Sequence, residues 1–277
     1  MSDFSEFNRF TGSLKEEGYL MPVLFVGHGS PMNGIEDNEF SRGWKQLALE
    51  IPQPKAVLVI SAHWLSKGTK VTAMDFPPTI HDFGGFPQTL SDVQYPAPGS
   101  LKVANETISL LRSVHAEPDH DWGLDHGAWT VVRHMYPEAN VPVLQLSIDY
   151  SKGPQYHYDL VKDLYSLREK GVLIMGSGNM VHNLRMVAWN RLNEPEFGFD
   201  WAYELNDKFK NLIAGGNHQD LINFNRISPD ISLAIPTSEH YLPLIYSLGL
   251  QSAKDEVSFF NDKAVGGSLT MTSVKFG

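Results

Sequence analysis

The 277-residue chain contains no cysteine. Disulfides, thiolate nucleophiles and Cys-ligated zinc are excluded together, and a reducing compartment such as the cytoplasm is the expected setting. Long apolar runs are missing too. No stretch approaches the roughly 20 residues that a membrane-spanning helix needs, and the opening "MSDFSEFNRFTGSLKEEGYL" is polar and of mixed charge, unlike a signal peptide. Positive charge is scarce: 22 Lys and Arg stand against 32 Asp and Glu, a formal net charge of −10. That balance argues against a nucleic-acid backbone or an anionic membrane as the partner. Several catalytic signatures are also lacking. "GHGSPMNG" has neither the lysine nor the spacing of a phosphate-binding loop, and "GSGNMV" lacks the third glycine of a dinucleotide fingerprint. Neither a G-x-S-x-G elbow nor an H-E-x-x-H helix occurs.

What is present is an alternation of strand-like and helix-like segments. Four short apolar runs, "VLFV" (23–26), "AVLVISA" (56–62), "VPVLQLSI" (141–148) and "GVLIMG" (171–176), read as buried strands. Segments 38–51, 100–114 and 155–170 carry helical periodicity, and "PTSEHYLPLIYSLG" (236–249) reads as a helix opened by Thr237 or Ser238 and stopped by Gly249. The closing "GGSLTMTSVKF" alternates like an antiparallel or edge strand. This order predicts an α/β fold: a single domain with a central mixed, largely parallel sheet flanked by helices. The stretch 77–99 is dense in Pro and Gly and carries Phe83, Phe86 and Tyr95, which suits a long ordered loop with a functional role.

The histidines follow the strands. His28 comes just after the first run, His63 directly after the second, and His182 six residues past the fourth. In an open α/β sheet, ligands bind outside the carboxyl ends of the strands. One histidine at a strand end is equally well explained by a structural hydrogen bond; three in equivalent places favour convergence. His240, near the start of the late helix, is a fourth candidate. Neutral imidazoles gathered without cysteine suggest a site for zinc, iron or copper. His81 lies in the Pro/Gly loop, and His126 precedes a predicted helix, where a role near the site competes with pairing to Asp125.

The segments "GHGSPM", "SAHW", "PPTIHDFGGFP", "YPAPGS", "DHGAW", "GSGNMVHNLR" and "TSEHYLPLIYSLG", in that order from about residue 22 onward, resemble the class III extradiol ring-cleavage dioxygenases of the LigB type, most closely the DOPA 4,5-dioxygenase branch. The resemblance implies a catalytic domain over 22–277, preceded by a polar extension over 1–21, and a mononuclear non-haem metal site. By motif, His28, His63 and His240 are the expected metal ligands. His182 is the expected catalytic base beside the metal, and itself a ligand in resting forms; His126 is expected to hydrogen-bond substrate or oxygen. The protocatechuate-cleaving branch uses a carboxylate as third ligand, whereas this chain offers His240 with Glu239 adjacent, which leaves open which of the two points inward. The loop carrying His81 and Phe83 is expected to contact the substrate. Fe(II) is the cofactor such chemistry implies, with Zn(II) able to occupy the same site. The implied partners are a small catechol and O2, on a monomer or small homo-oligomer. Two other readings fit the histidines alone: a zinc-dependent hydrolase, and a metal- or ligand-binding protein on the same scaffold.

Overall fold

A computed structural model describes residues 14–192 and 194–277. The expected polar extension lies mostly outside these residues; of its described part, Met21 is buried and its backbone N donates to the Arg168 carbonyl (3.0 Å). The apolar runs become strands of one six-stranded sheet: β1 (Val23–Gly27), β2 (Ala56–Ser61), β3 (Val143–Gln145) and β4 (Val172–Gly178), joined by β5 (Val257–Phe260) and β6 (Ser273–Phe276). Their spatial order is β3-β2-β4-β1-β6-β5. The first four run parallel, and β6 pairs antiparallel with both β1 and β5. The closing segment is thus an antiparallel strand, but an interior one; β5 forms the edge.

Both faces of the parallel strands are covered, which is why they read as unbroken apolar runs rather than alternating ones. Val23 and Phe25 enter one core together with residues of helices α2 (Leu101–Leu110), α4 (Pro154–Val161), α5 (Asp200–Ala214) and α6 (Leu242–Gly249). Leu24 and Val26 enter the other, against Trp44 and Leu47 of α1 (Glu39–Glu50) and Trp129 and Val132 of α3 (His126–Met135). Caps fix where the latter two begin. Asn38 and Ser41 exchange side-chain-to-backbone bonds at the head of α1, and Asp125 accepts from Ala128 N (3.1 Å) at the head of α3.

Three segments differ from their sequence pattern. The 141–148 run is divided: Val143–Gln145 joins the sheet, whereas Ile148–Asp149 pairs with Leu65–Ser66. The 155–170 helix breaks after Val161 into a 3-10 turn and one further short helix. The late helix starts at Leu242, not at Thr237 or Ser238. Residues 238–241 form a turn instead, whose His240 carbonyl accepts from Asn179 N (2.9 Å) just past β4. A Cβ on Gly178 would collide with that carbonyl, so the turn can approach the strand end only because the residue there is glycine.

Candidate metal centre

Because β2, β4 and β1 are adjacent, the chain leaves the sheet three times at one place. His28 follows β1 and continues the ladder, its N donating to Gly178 O (3.1 Å); Ala62, beyond β2, donates to Ser177 O (3.0 Å). Gly29 then turns away with φ +63°, a conformation costly for other residues, and a Cβ there would strike the sulfur of Met271. His182 lies four residues past β4, its N donating to Ala234 O (2.8 Å).

Five imidazoles meet here. The His28 ring lies 5.0 Å from that of His63, 5.5 Å from His126 and 5.4 Å from His240. His63 lies 3.8 Å from His126 and 5.0 Å from His240, and His182 stacks on His240 at 3.6 Å with 6° between planes. The donor nitrogens of His28, His63 and His126 fall within 4.8 Å of one another. His240, rather than Glu239, turns inward: the imidazole is buried, while the Glu239 carboxylate accepts from the Thr237 hydroxyl (2.6 Å) nearer the surface.

The hydrogen bonds around His28 assign its proton. Ser177 Oγ stands 2.9 Å from His28 Nδ1 and 2.5 Å from the Gly127 carbonyl. A carbonyl can only accept, so the single hydroxyl proton of Ser177 goes to Gly127. His28 Nδ1 must therefore donate to Ser177, which leaves Nε2 as a bare lone pair. That lone pair points at His63 Nε2, 3.1 Å away. Burial, followed by the neighbouring His63, holds the His28 pKa well below the usual histidine value, and burial lowers that of His63 as well, so both rings are neutral. Two nitrogens bound to one ion at about 2.1 Å with tetrahedral angles sit about 3.4 Å apart. His240 adds a further buried imidazole, its Nδ1 3.6 Å from the Glu239 carboxylate. A divalent cation fits this donor set: soft-to-borderline nitrogen ligands, neutral and already facing one another.

The remaining titratable groups frame the cluster. Burial, then His240, pushes His182 down to about 3. Burial raises Asp125, which accepts from Ser61 Oγ (2.6 Å), to about 6. Glu239 is lowered to about 2, because the His240 ring and the Thr237 hydroxyl outweigh its burial.

Residues 22–274 match the family described as the catalytic LigB subunit of aromatic ring-opening dioxygenase. The chain belongs to the LigB family. It is 45% identical over 261 residues to a protein of Escherichia coli K12 named 4,5-DOPA dioxygenase extradiol, covering 93% of this chain and 95% of that one. A protein of the same name from Beta vulgaris is 34% identical over 270 residues, covering 94% and 98%. Among solved structures, the crystal structure of an uncharacterised protein of Escherichia coli K12 is similar, with a TM-score of 0.79 and 38% identity over 93% of this chain and all of that one. The LigB fold thus accounts for the α/β domain with its mixed, mostly parallel sheet.

Within this LigB chain the other candidates take different places. His126 opens α3, and its charged neighbour is Asp82 rather than Asp125, which caps the helix. Phe83 packs 5.7 Å from the His126 ring, at the rim of the cluster. His81 is turned into its own loop: its Nε2 bonds the Val93 carbonyl (2.9 Å), and its ring meets Phe83 and Trp129. Two polar residues at the centre escaped the sequence reading. Ser177 sits in "GSGNMV" and Asp82 in "IHDFGG"; nothing local marks either, since the partners of each lie in other segments of the chain. Among the described residues, no helix is long and apolar enough to cross a membrane.

Proposed function

We propose that the protein is an extradiol dioxygenase that opens the ring of a DOPA-like catechol with O2, giving a ring-opened semialdehyde that retains both oxygen atoms. The observation that carries this reading is the pair of neutral imidazole nitrogens, His28 Nε2 and His63 Nε2, facing each other at 3.1 Å amid three further imidazoles in a LigB-family chain. His28, His63 and His240 would hold the metal. Fe(II) in that position would supply open coordination for a catechol and O2 and the redox capacity that Zn(II), which can occupy the same ligands, lacks.

The chain's own groups do the rest. His182, held neutral by burial, takes the proton of a catechol hydroxyl and returns it as the ring opens. His126 faces the same space from the head of α3 and hydrogen-bonds the substrate. Phe83 and Phe86, 5.5 Å apart in the Pro/Gly loop, cover the aromatic ring, with His81 holding the loop in shape.

Anaerobic loading with Fe(II), followed by addition of a catechol panel and air, tests the reading. A yellow semialdehyde product, with O2 consumed one for one and DOPA among the better substrates, is the expected result. Activity of the zinc form alone, on esters or amides, would instead establish a hydrolase. Binding without turnover in either form would establish a binding protein.

A further inference from the structure

Asp82 lies in the 77–99 loop, outside every strand and helix, yet only 18% of its side chain is exposed. Both carboxylate oxygens face the imidazole cluster. Oδ1 accepts from the backbone N of His126 (2.9 Å), a first-turn donor that has no partner within its own helix. Oδ2 stands 3.0 Å from His126 Nδ1 and 3.5 Å from His63 Nδ1. These two imidazoles are the only ionic partners of Asp82 among the described residues. One carboxylate therefore meets the outward nitrogens of two neighbouring rings.

Tautomer choice matters at such a place. A neutral imidazole carries one proton, and a ring that kept it on Nε2 would aim a hydrogen, not a lone pair, at the ion. His28 is set correctly by Ser177. His63 and His126 need an acceptor on the other side, and Asp82 Oδ2 stands near both Nδ1 atoms, at 3.5 and 3.0 Å, in approaches that a small ring rotation would convert to hydrogen bonds; His126 Nδ1 has no hydrogen-bond partner as it stands.

We propose that Asp82 is a positioning residue that holds His126 in its Nδ1-protonated tautomer, and accepts from His63 Nδ1 once a cation replaces the proton shared between His63 Nε2 and His28 Nε2, so that both rings present a bare Nε2 to the space they share with His28. This rests on the reading of the cluster as a metal centre. It also ties the loop bearing Phe83 to that centre, since the same carboxylate anchors both. An outward partner of this kind typically changes metal affinity by about 10–100-fold when removed.

The Asp82→Asn variant separates this role from a merely structural one. Asparagine keeps an oxygen for the His126 backbone N–H but places an NH2 group, which cannot accept, toward the rings. Nitrogen-15 NMR of the imidazoles in metal-free protein at neutral pH reads the tautomers directly, and competition with a chelator reads the Zn(II) dissociation constant. In the metal-free wild type, His126 is expected to carry its proton on Nδ1, while His63 donates from Nε2 to the bare His28 Nε2 until a cation takes that place. Asp82→Asn should move the His126 proton to Nε2 and weaken Zn(II) binding about 10–100-fold, and Asp82→Glu should recover most of both. A wild-type His126 protonated on Nε2 would overturn the proposal, as would an Asn variant with unchanged tautomers and unchanged Zn(II) affinity. If the Asn variant fails to fold, the wild-type spectrum alone decides. Correct tautomers in a protein that binds no metal would overturn the metal-centre reading and leave the hold of Asp82 on the rings established.

Discussion

At the scale of single residues, the imidazoles differ in which nitrogen each keeps bare and in how deeply each is buried. His28 is locked by Ser177, whose own proton is committed to Gly127. His182 differs: its ring stacks flat on His240 at 3.6 Å, whereas His240 itself meets both His28 and His63, at 5.4 and 5.0 Å. His182→Ala should therefore retain metal, as measured by bound metal per chain after dialysis, while ring cleavage falls by at least about 100-fold, the usual contribution of a general base. Loss of metal in that variant would make His182 a ligand instead. The sequence marks His28, His63 and His182 by the strand-like runs they follow and His240 by its place near a helix start, whereas His126 owes its place to the family motif, pairing with Asp125 being an equal reading of the pattern. Asp82 and Ser177 are invisible to the same reading. Their importance lies in contacts across 44 and 149 residues, and no local pattern encodes them.

At the scale of elements, the centre depends on one close approach. The turn carrying His240 docks its carbonyl on the end of β4, where Gly178 leaves room. Gly178→Ala should push that turn away from the strand. The expected outcome is a stability loss of about 1–3 kcal/mol from overpacking, together with Zn(II) affinity at least tenfold weaker, measured by denaturant titration and chelator competition. A loss of stability with unchanged affinity would show that the turn is not what places His240. This docking also explains why the late helix begins at Leu242 although Thr237 and Ser238 offer cap chemistry. The backbone groups of 238–241 are engaged by the strand end and by one another, so tertiary contact overrides the local start signal. The parallel strands were readable from their apolar runs; their spatial order was not, because adjacency of β2, β4 and β1 follows from crossovers rather than from any segment's own sequence.

At the scale of the whole molecule, buried neutral imidazoles make stability depend on acid. His157 of α4 is wholly buried and lies 2.8 Å from the Tyr246 hydroxyl of α6, far from the metal centre in sequence and bonded to none of its rings. Burial pushes its pKa down to about 4, whereas an unfolded histidine titrates near 6.5. Between those values the unfolded chain binds more protons than the folded one, so stability falls as pH drops from about 6.5 to about 4 and levels off below. The full loss from this one residue is about 3 kcal/mol. His157→Gln should flatten that part of the curve, seen as a smaller difference between denaturation midpoints at about pH 7 and about pH 4.5 than in the wild type. An unchanged difference would mean that His157 is protonated within the fold.

The sheet order also has a bearing on how the molecule comes to exist. β1, which delivers His28, is translated before its sheet neighbours, yet Val23 pairs with Ile174 on one side and Phe276 on the other. At about 5–20 residues per second, the ribosome takes on the order of ten to fifty seconds to supply the farther partner. Throughout that interval the apolar "VLFV" strand has no complete pairing. Formation of the imidazole cluster, which needs β1, β2 and β4 side by side, is consequently a late event.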